Sequence, residues 1–171
     1  MRLIVAGVVL ISGCAPGEAV LGGRMTAPPN RPTMTKAQAL ARVEQLIKEA
    51  ADAIDMPKEL ELYEPSLGDD LCLDPIDGGS EERIVVNRKY FLRGIPKGRI
   101  TEVTQRVKAH WEQQGHIIDG VSNDGLVVVG RTRPDDFYLA LGWTNDDVPT
   151  LAATSTCIWP NGTPEPTQPG S

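Results

Sequence analysis

Three cysteines carry most of the covalent chemistry open to this chain. Cys14 stands directly behind Ser12 and Gly13 at the end of an apolar run, while Cys72 and Cys157 lie far apart in the remainder. A thiol can act as a nucleophile, bind a metal or pair with a second thiol. No Cys-x-x-Cys occurs, and neither histidine lies near Cys72 or Cys157 in sequence. Metal-ligand spacing is therefore missing. Once Cys14 is set aside, Cys72 and Cys157 form an even pair. In an exported protein such a pair reads as a structural disulfide.

The other reactive groups are sparse. Asp69, Asp70, Asp74 and Asp77 crowd around Cys72. Oxygen-rich loops can hold calcium, but this spacing is not that of an EF-hand and Pro75 interrupts it. Turn formation explains the same residues, and no metal is expected. His110 and His116 are the only histidines. Each would need an acid or further ligands at defined geometry to do chemistry. His116 follows Gly115 and reads as a cation at a helix end. Ser155 and Thr156 belong to no Gly-x-Ser-x-Gly elbow and no Ser-x-x-Lys motif, so they read as strand hydroxyls. Asp77-Gly78-Gly79 lacks the Gly-Lys-Ser/Thr of a phosphate loop. Trp111, Trp143 and Trp159 could line a groove, but base rates favour closing the ends of a core. Asn161-Gly162-Thr163 fits a glycosylation sequon, a three-residue match that carries little weight by itself.

Around these residues the chain divides into a leader, a tether, one domain and a tail. Met1-Arg2 precedes an apolar stretch over 3–11, broken only by glycine. One positive charge, a short apolar run and small residues before a cut point make a secretory signal over 1–13. The run is shorter than the roughly 20 apolar residues of a spanning helix. Residues 14–34 are rich in Ala, Gly and Pro, and Pro28-Pro29 with Pro32 disfavour helix and ladder alike. About 20 flexible residues have an r.m.s. span near 25 Å, enough to lift a domain off a membrane.

Residues 35–160 carry the pattern of a single domain. Thr35 with Gln38 is a capping box. Leu40, Val43, Leu46, Ile47, Ala50 and Ile54 then recur at helical spacing up to Pro57. Residues 58–80 read mostly as loop, with Leu60, Leu62 and Leu71 as candidates to pack inward. Residues 83–92 read as a strand: Ile84, Val86, Tyr90 and Leu92 share one parity, Asn87, Lys89 and Phe91 the other. Ile100, Val103, Val107 and Trp111 form the stripe of a second helix, which Gly115 stops. Strands over 117–121 and 126–132 flank Asn123-Asp124-Gly125, a hairpin signal. Further turns lead into strands over 137–143 and 150–158, and short turns make neighbours antiparallel. The order predicts an α+β two-layer sandwich, two amphipathic helices on an antiparallel sheet of about five strands. Residues 161–171 read as a disordered tail.

Composition narrows the partners. The 171 residues include 17 basic and 23 acidic side chains, for a formal charge of −6. Such a chain repels phosphate backbones and anionic head groups. Nucleic acid is not expected as a partner, and membrane attachment needs something other than a basic patch. Hydrophobic residues at 40% supply a core, and aromatics at only 5% make it mostly aliphatic.

The segment Ile11-Ser12-Gly13-Cys14 resembles a bacterial lipobox. That resemblance implies a diacylglycerol on the Cys14 sulfur, cleavage just before it, and a domain on the outer face of the cytoplasmic membrane. With Leu71-Cys72-Leu73-Asp74, Asp77-Gly78-Gly79 and Ser155-Thr156-Cys157-Ile158-Trp159-Pro160, the chain resembles small actinobacterial envelope lipoproteins of the mycobacterial LppA-like group. The likeness implies location and fold and brings no catalytic residue. Three functions follow as expectations. The first is a non-catalytic envelope module, without cofactor, that binds a protein, glycan or lipid partner. The second is an envelope hydrolase, which requires at least two of His116, Asp119, Asp124, Asp135 and Asp136 to meet in a concave pocket. The third is a lipid carrier with an apolar cavity between helices and sheet.

Overall fold

A computed structural model describes residues 32–72 and 82–164. Two helices pack on one antiparallel sheet, as expected, but the sheet has seven strands, not five. Helix α1 spans Lys36–Asp52 and α2 spans Ile100–Gln113. The strands are β1 (Glu59–Leu62), β2 (Asp69–Leu71), β3 (Ile84–Arg93), β4 (Ile117–Val121), β5 (Val128–Arg131), β6 (Tyr138–Trp143) and β7 (Pro149–Thr154). Their order across the sheet is β1-β3-β7-β6-β5-β4, and β2 also pairs with β3.

The capping box forms: Thr35 Oγ1 accepts from Gln38 N, and Thr35 N donates to Gln38 Oε1. Two orphan donors of the first turn are thereby satisfied. Val43, Leu46, Ile47 and Ala50 face inward with Ala39 and Ala51, and Ile54 is fully buried just past the helix end. On α2 the buried positions are Val103, Thr104, Val107 and Trp111. Gly115 follows with φ +76, a left-handed value that glycine adopts without steric cost. Both stripes meet Val86, Leu92, Val128, Leu139, Leu141 and Leu151 of the sheet in one contiguous cluster. Each fully buried leucine there contributes roughly 1.5–3 kcal/mol.

The meander β4-β5-β6-β7 is antiparallel from neighbour to neighbour, and β3 lies beside β7. The two additional strands fall in the stretch read as loop. Their Glu-Leu-Glu-Leu and Asp-Asp-Leu patterns are too short and too acidic to signal strands alone. They form because β3 is ten residues long and offers an edge: Leu60 pairs with Leu92, and Asp70 with Val85. Leu60 and Leu71 do not pack inward; at that edge they are 38% and 57% exposed, while Leu62 is half-buried. Between β1 and β2 a 3-10 turn, Glu64–Leu67, bulges away from β3. The bulge would strand the amide of Lys89, and Ser66 Oγ accepts from it at 3.0 Å.

The domain reaches slightly past its expected ends. Thr33 N donates to Gly162 O at 2.8 Å, Trp159 N to Thr33 Oγ1 at 2.8 Å, and Lys36 N to Pro160 O at 2.9 Å. Thr33 thus belongs to the domain rather than the tether, and Gly162 to the domain rather than the tail. The expected leader, residues 14–31 of the expected tether and residues 165–171 lie outside the described residues.

A polar network fastens α1 to β3. Tyr90 Oη donates to Glu44 Oε2 at 2.9 Å, and Arg88 Nε lies 3.4 Å from Glu44 Oε1. Burial and the Glu44 carboxylate push the Tyr90 phenol up to about 12, against about 10 unfolded. The folded state therefore keeps a proton that the unfolded chain sheds first. Stability from this group is complete below pH 10 and declines as pH rises toward 12. Urea unfolding across that window should show this alkaline loss in the wild type and a smaller one in Tyr90→Phe. Identical slopes in both proteins would mean that Tyr90 is not the group responsible.

Candidate functional site

Alternation along the strands decides which side chains face away from the helices. Val86, Leu139, Leu141, Leu151 and Ala153 are buried on the helix side. Their neighbours Asn87, Lys89 and Phe91 on β3, Thr150, Ala152 and Thr154 on β7, and Tyr138 and Ala140 on β6 therefore occupy the opposite face. No described helix covers that face. Register sets Lys89, Ala152, Ala140 and Val129 in one row, and Asn87, Thr154, Tyr138 and Arg131 in the next. The middle of the face is floored by small side chains.

At its β3 edge the face dips into a shallow recess of about 290 Å³. Asn87, Lys89, Ala152 and Thr154 form the floor, and Tyr63, Pro65, Ser66 and Asp70 form a rim built by the 3-10 bulge and β2. Asn87 Nδ2 donates to Asp70 Oδ2 at 2.8 Å. The Lys89 ammonium lies 5.5 Å from the centroid of the Tyr63 ring, a cation–π contact. Tyr63 in turn meets Phe91 edge-on at 5.6 Å. Neighbouring cations on the face are paired, Arg93 with Glu61 and Arg131 with Asp119. Lys89 has no carboxylate partner among the described residues.

Apart from Asp70 on the rim, the residues singled out from sequence that the structure describes lie outside the recess. Cys14, Asp74 and Asp77 fall outside the described residues. Cys72 and Cys157 are joined, with Cα atoms 5.6 Å apart, within the range a disulfide requires. Asp69 pairs with Lys36 and Asp70 with Asn87. Among the described residues no three His, Cys, Asp or Glu side chains converge as metal ligands. Ser155 and Thr156 lie just past the end of β7 rather than in a strand, and Ser155 Oγ accepts from Val86 N at 2.9 Å and donates to Thr156 O at 2.8 Å. Trp111 and Trp159 are buried. Trp143 packs on the helix side and donates Nε1 to Leu126 O at 2.6 Å.

His116 differs from expectation. It is half-buried, and its Nδ1 is enclosed without a hydrogen-bond partner among the described residues. Burial and the nearby Arg42 charge push its pKa down, which disfavours the charged form expected at a helix end. Asp135 lies in the same cluster. Burial alone would raise its carboxyl, but hydrogen bonds from Thr132 and Arg42 outweigh this and hold it below its ordinary value. Asp119 and Asp136 instead share Arg131, and Asp124 bonds Ser122 in the hairpin turn. Of the five groups, at least two of which a hydrolase reading needs together, His116 lies near Asp135 and Asp119 shares Arg131 with Asp136, and none of the five lines the recess.

Of the recess residues, sequence singles out Asp70 alone, as part of an acidic cluster around Cys72, and Tyr63, Asn87, Lys89 and Ala152 carry no site signal. The parity of β3 put Asn87 and Lys89 on one face. The rim residues were hidden because their segment read as loop. Comparison with protein-family models, with curated proteins and with solved structures finds no match for the chain.

Proposed function

We propose that this chain is a lipoprotein of the bacterial envelope, held through Cys14 on the outer face of the cytoplasmic membrane. Its domain serves as a non-catalytic binding module for a protein, glycan or lipid partner. The lipobox resemblance supports the anchor. The joined Cys72 and Cys157 support an oxidising compartment, where structural disulfides persist. The negative charge argues against nucleic acid.

The observation that carries the binding reading is the sheet face turned away from the helices. Antiparallel sheets commonly leave one face to water and populate it with charged side chains. Here the middle of the face is small and apolar, with Tyr138 exposed to 44% and Tyr63 to 38% at its margins. Aromatic side chains around a shallow floor suit ligand capture.

Arginine at position 152 should fill the recess without disturbing the core, because Ala152 points away from the helices. Full-length wild-type and Ala152→Arg proteins, solubilised from the host envelope and affinity-purified, should differ in co-purifying material by tenfold or more. Their thermal midpoints should agree within a few degrees. Equal recovery from both proteins would remove this face as the binding surface.

A further inference from the structure

We infer that the recess beside β3 takes a sugar ring bearing a carboxylate, of the uronic-acid type, with the carboxylate on Lys89. The inference rests on the binding reading above and names the ligand class for the same face. Three features carry it. First, Lys89 is a cation without a carboxylate partner among the described residues, whereas Arg93 and Arg131 on the same face are paired. An arriving carboxylate completes a charge-assisted hydrogen bond there.

Second, the polar groups beside Lys89 are half used. Asp70 Oδ2 accepts from Asn87 Nδ2, which leaves Asp70 Oδ1 and Asn87 Oδ1 as acceptors, with the Thr154 hydroxyl close by on the floor. Two planar acceptors side by side suit vicinal ring hydroxyls, each a donor. Third, the size is right for one ring. At about 290 Å³ the recess lies at the lower limit of small-molecule sites. The 3-10 bulge closes one side, so an extended peptide would not lie flat along the floor. Ala152 and Pro65 supply apolar surface for the ring's C–H face. A ligand of a dozen or so heavy atoms binding an open recess gives a Kd on the order of millimolar.

The test is an NMR titration of the isotope-labelled full chain with sodium D-glucuronate, with D-glucose and sodium acetate as comparisons. Glucuronate should shift the amides of residues 87–91 and 152–154 saturably. Glucose and acetate should each be at least tenfold weaker. Lys89→Gln should weaken glucuronate tenfold or more, and Lys89→Arg should largely restore it. Raising the salt should weaken the wild-type interaction. Absence of saturable shifts, equal affinity for glucose, or an unaltered Lys89→Gln titration would each overturn the assignment. Should Ala152→Arg abolish envelope capture while glucuronate fails to bind, the ligand class falls and the binding face stands. Should capture ignore Ala152→Arg, the face falls with it.

Discussion

Serine in place of Cys157 is expected to lower the free energy of unfolding by about 4.5 kcal/mol in the chain-entropy model, for partners separated by 85 residues. Whole domains are stable by only about 5–15 kcal/mol, so this is a third or more of the total. For a domain of this size the thermal midpoint should fall by roughly 15 °C. The bond matters because of where its ends lie. Cys72 follows β2 and donates its amide to Arg83 O, and Ile158, next to Cys157, exchanges hydrogen bonds with Ile84. The two cysteines thus come from segments on either side of the start of β3. Opening the bond releases the short edge strand β2, held by only three register pairs. The same edge supplies Asp70 to the rim of the recess, so reduction should also weaken ligand capture. Differential scanning calorimetry of the oxidised protein, the reduced protein and Cys157→Ser should give one high midpoint and two low, similar ones. A reductant should leave Cys157→Ser unchanged. Equal midpoints throughout would show that the two sulfurs do not hold the fold together.

Much of the architecture was readable in advance because the signals were local and periodic. The Thr35–Gln38 box, the stripe from Val43 to Ala50, the stop at Gly115 and the Asn123-Asp124-Gly125 turn depend on neighbours within a few positions. Each forms as expected. What escaped depends on partners distant in sequence. β1 and β2 exist because β3 offers a second edge opposite β7, a fact absent from Glu59–Leu71 itself. The recess followed the same course. Asn87 and Lys89 could be placed on a face by parity, but their rim came from a segment read as loop. Trp143, able from sequence alone to line a groove or to close the core, pairs with Pro149 and lies on the helix side with Leu139 and Leu141. His116 read as a helix-end cation from its position after Gly115. Burial, and after it the approach of Arg42 from α1, lowers its pKa, and neither is visible along the sequence.

Replacing Cys14 by serine is expected to have an all-or-none effect on location. Each buried methylene of an acyl chain contributes about 0.8 kcal/mol, and two chains hold a protein firmly where one holds it marginally. The net charge of −6 offers no electrostatic substitute against anionic lipid, and no described helix is long and apolar enough to cross a membrane. Wild-type protein should therefore sediment with host membranes and resist high-salt washing, while Cys14→Ser should not. The domain should fold equally well in both, since its described contacts begin near Thr33.

The most direct measurement is the intact mass of the protein purified from host membranes, with its N-terminal peptide sequenced by fragmentation. The account predicts a chain that begins at Cys14 and carries a diacylglycerol on the sulfur. A chain retaining residues 1–13, or one with a free thiol at Cys14 recovered from the soluble fraction, would contradict it.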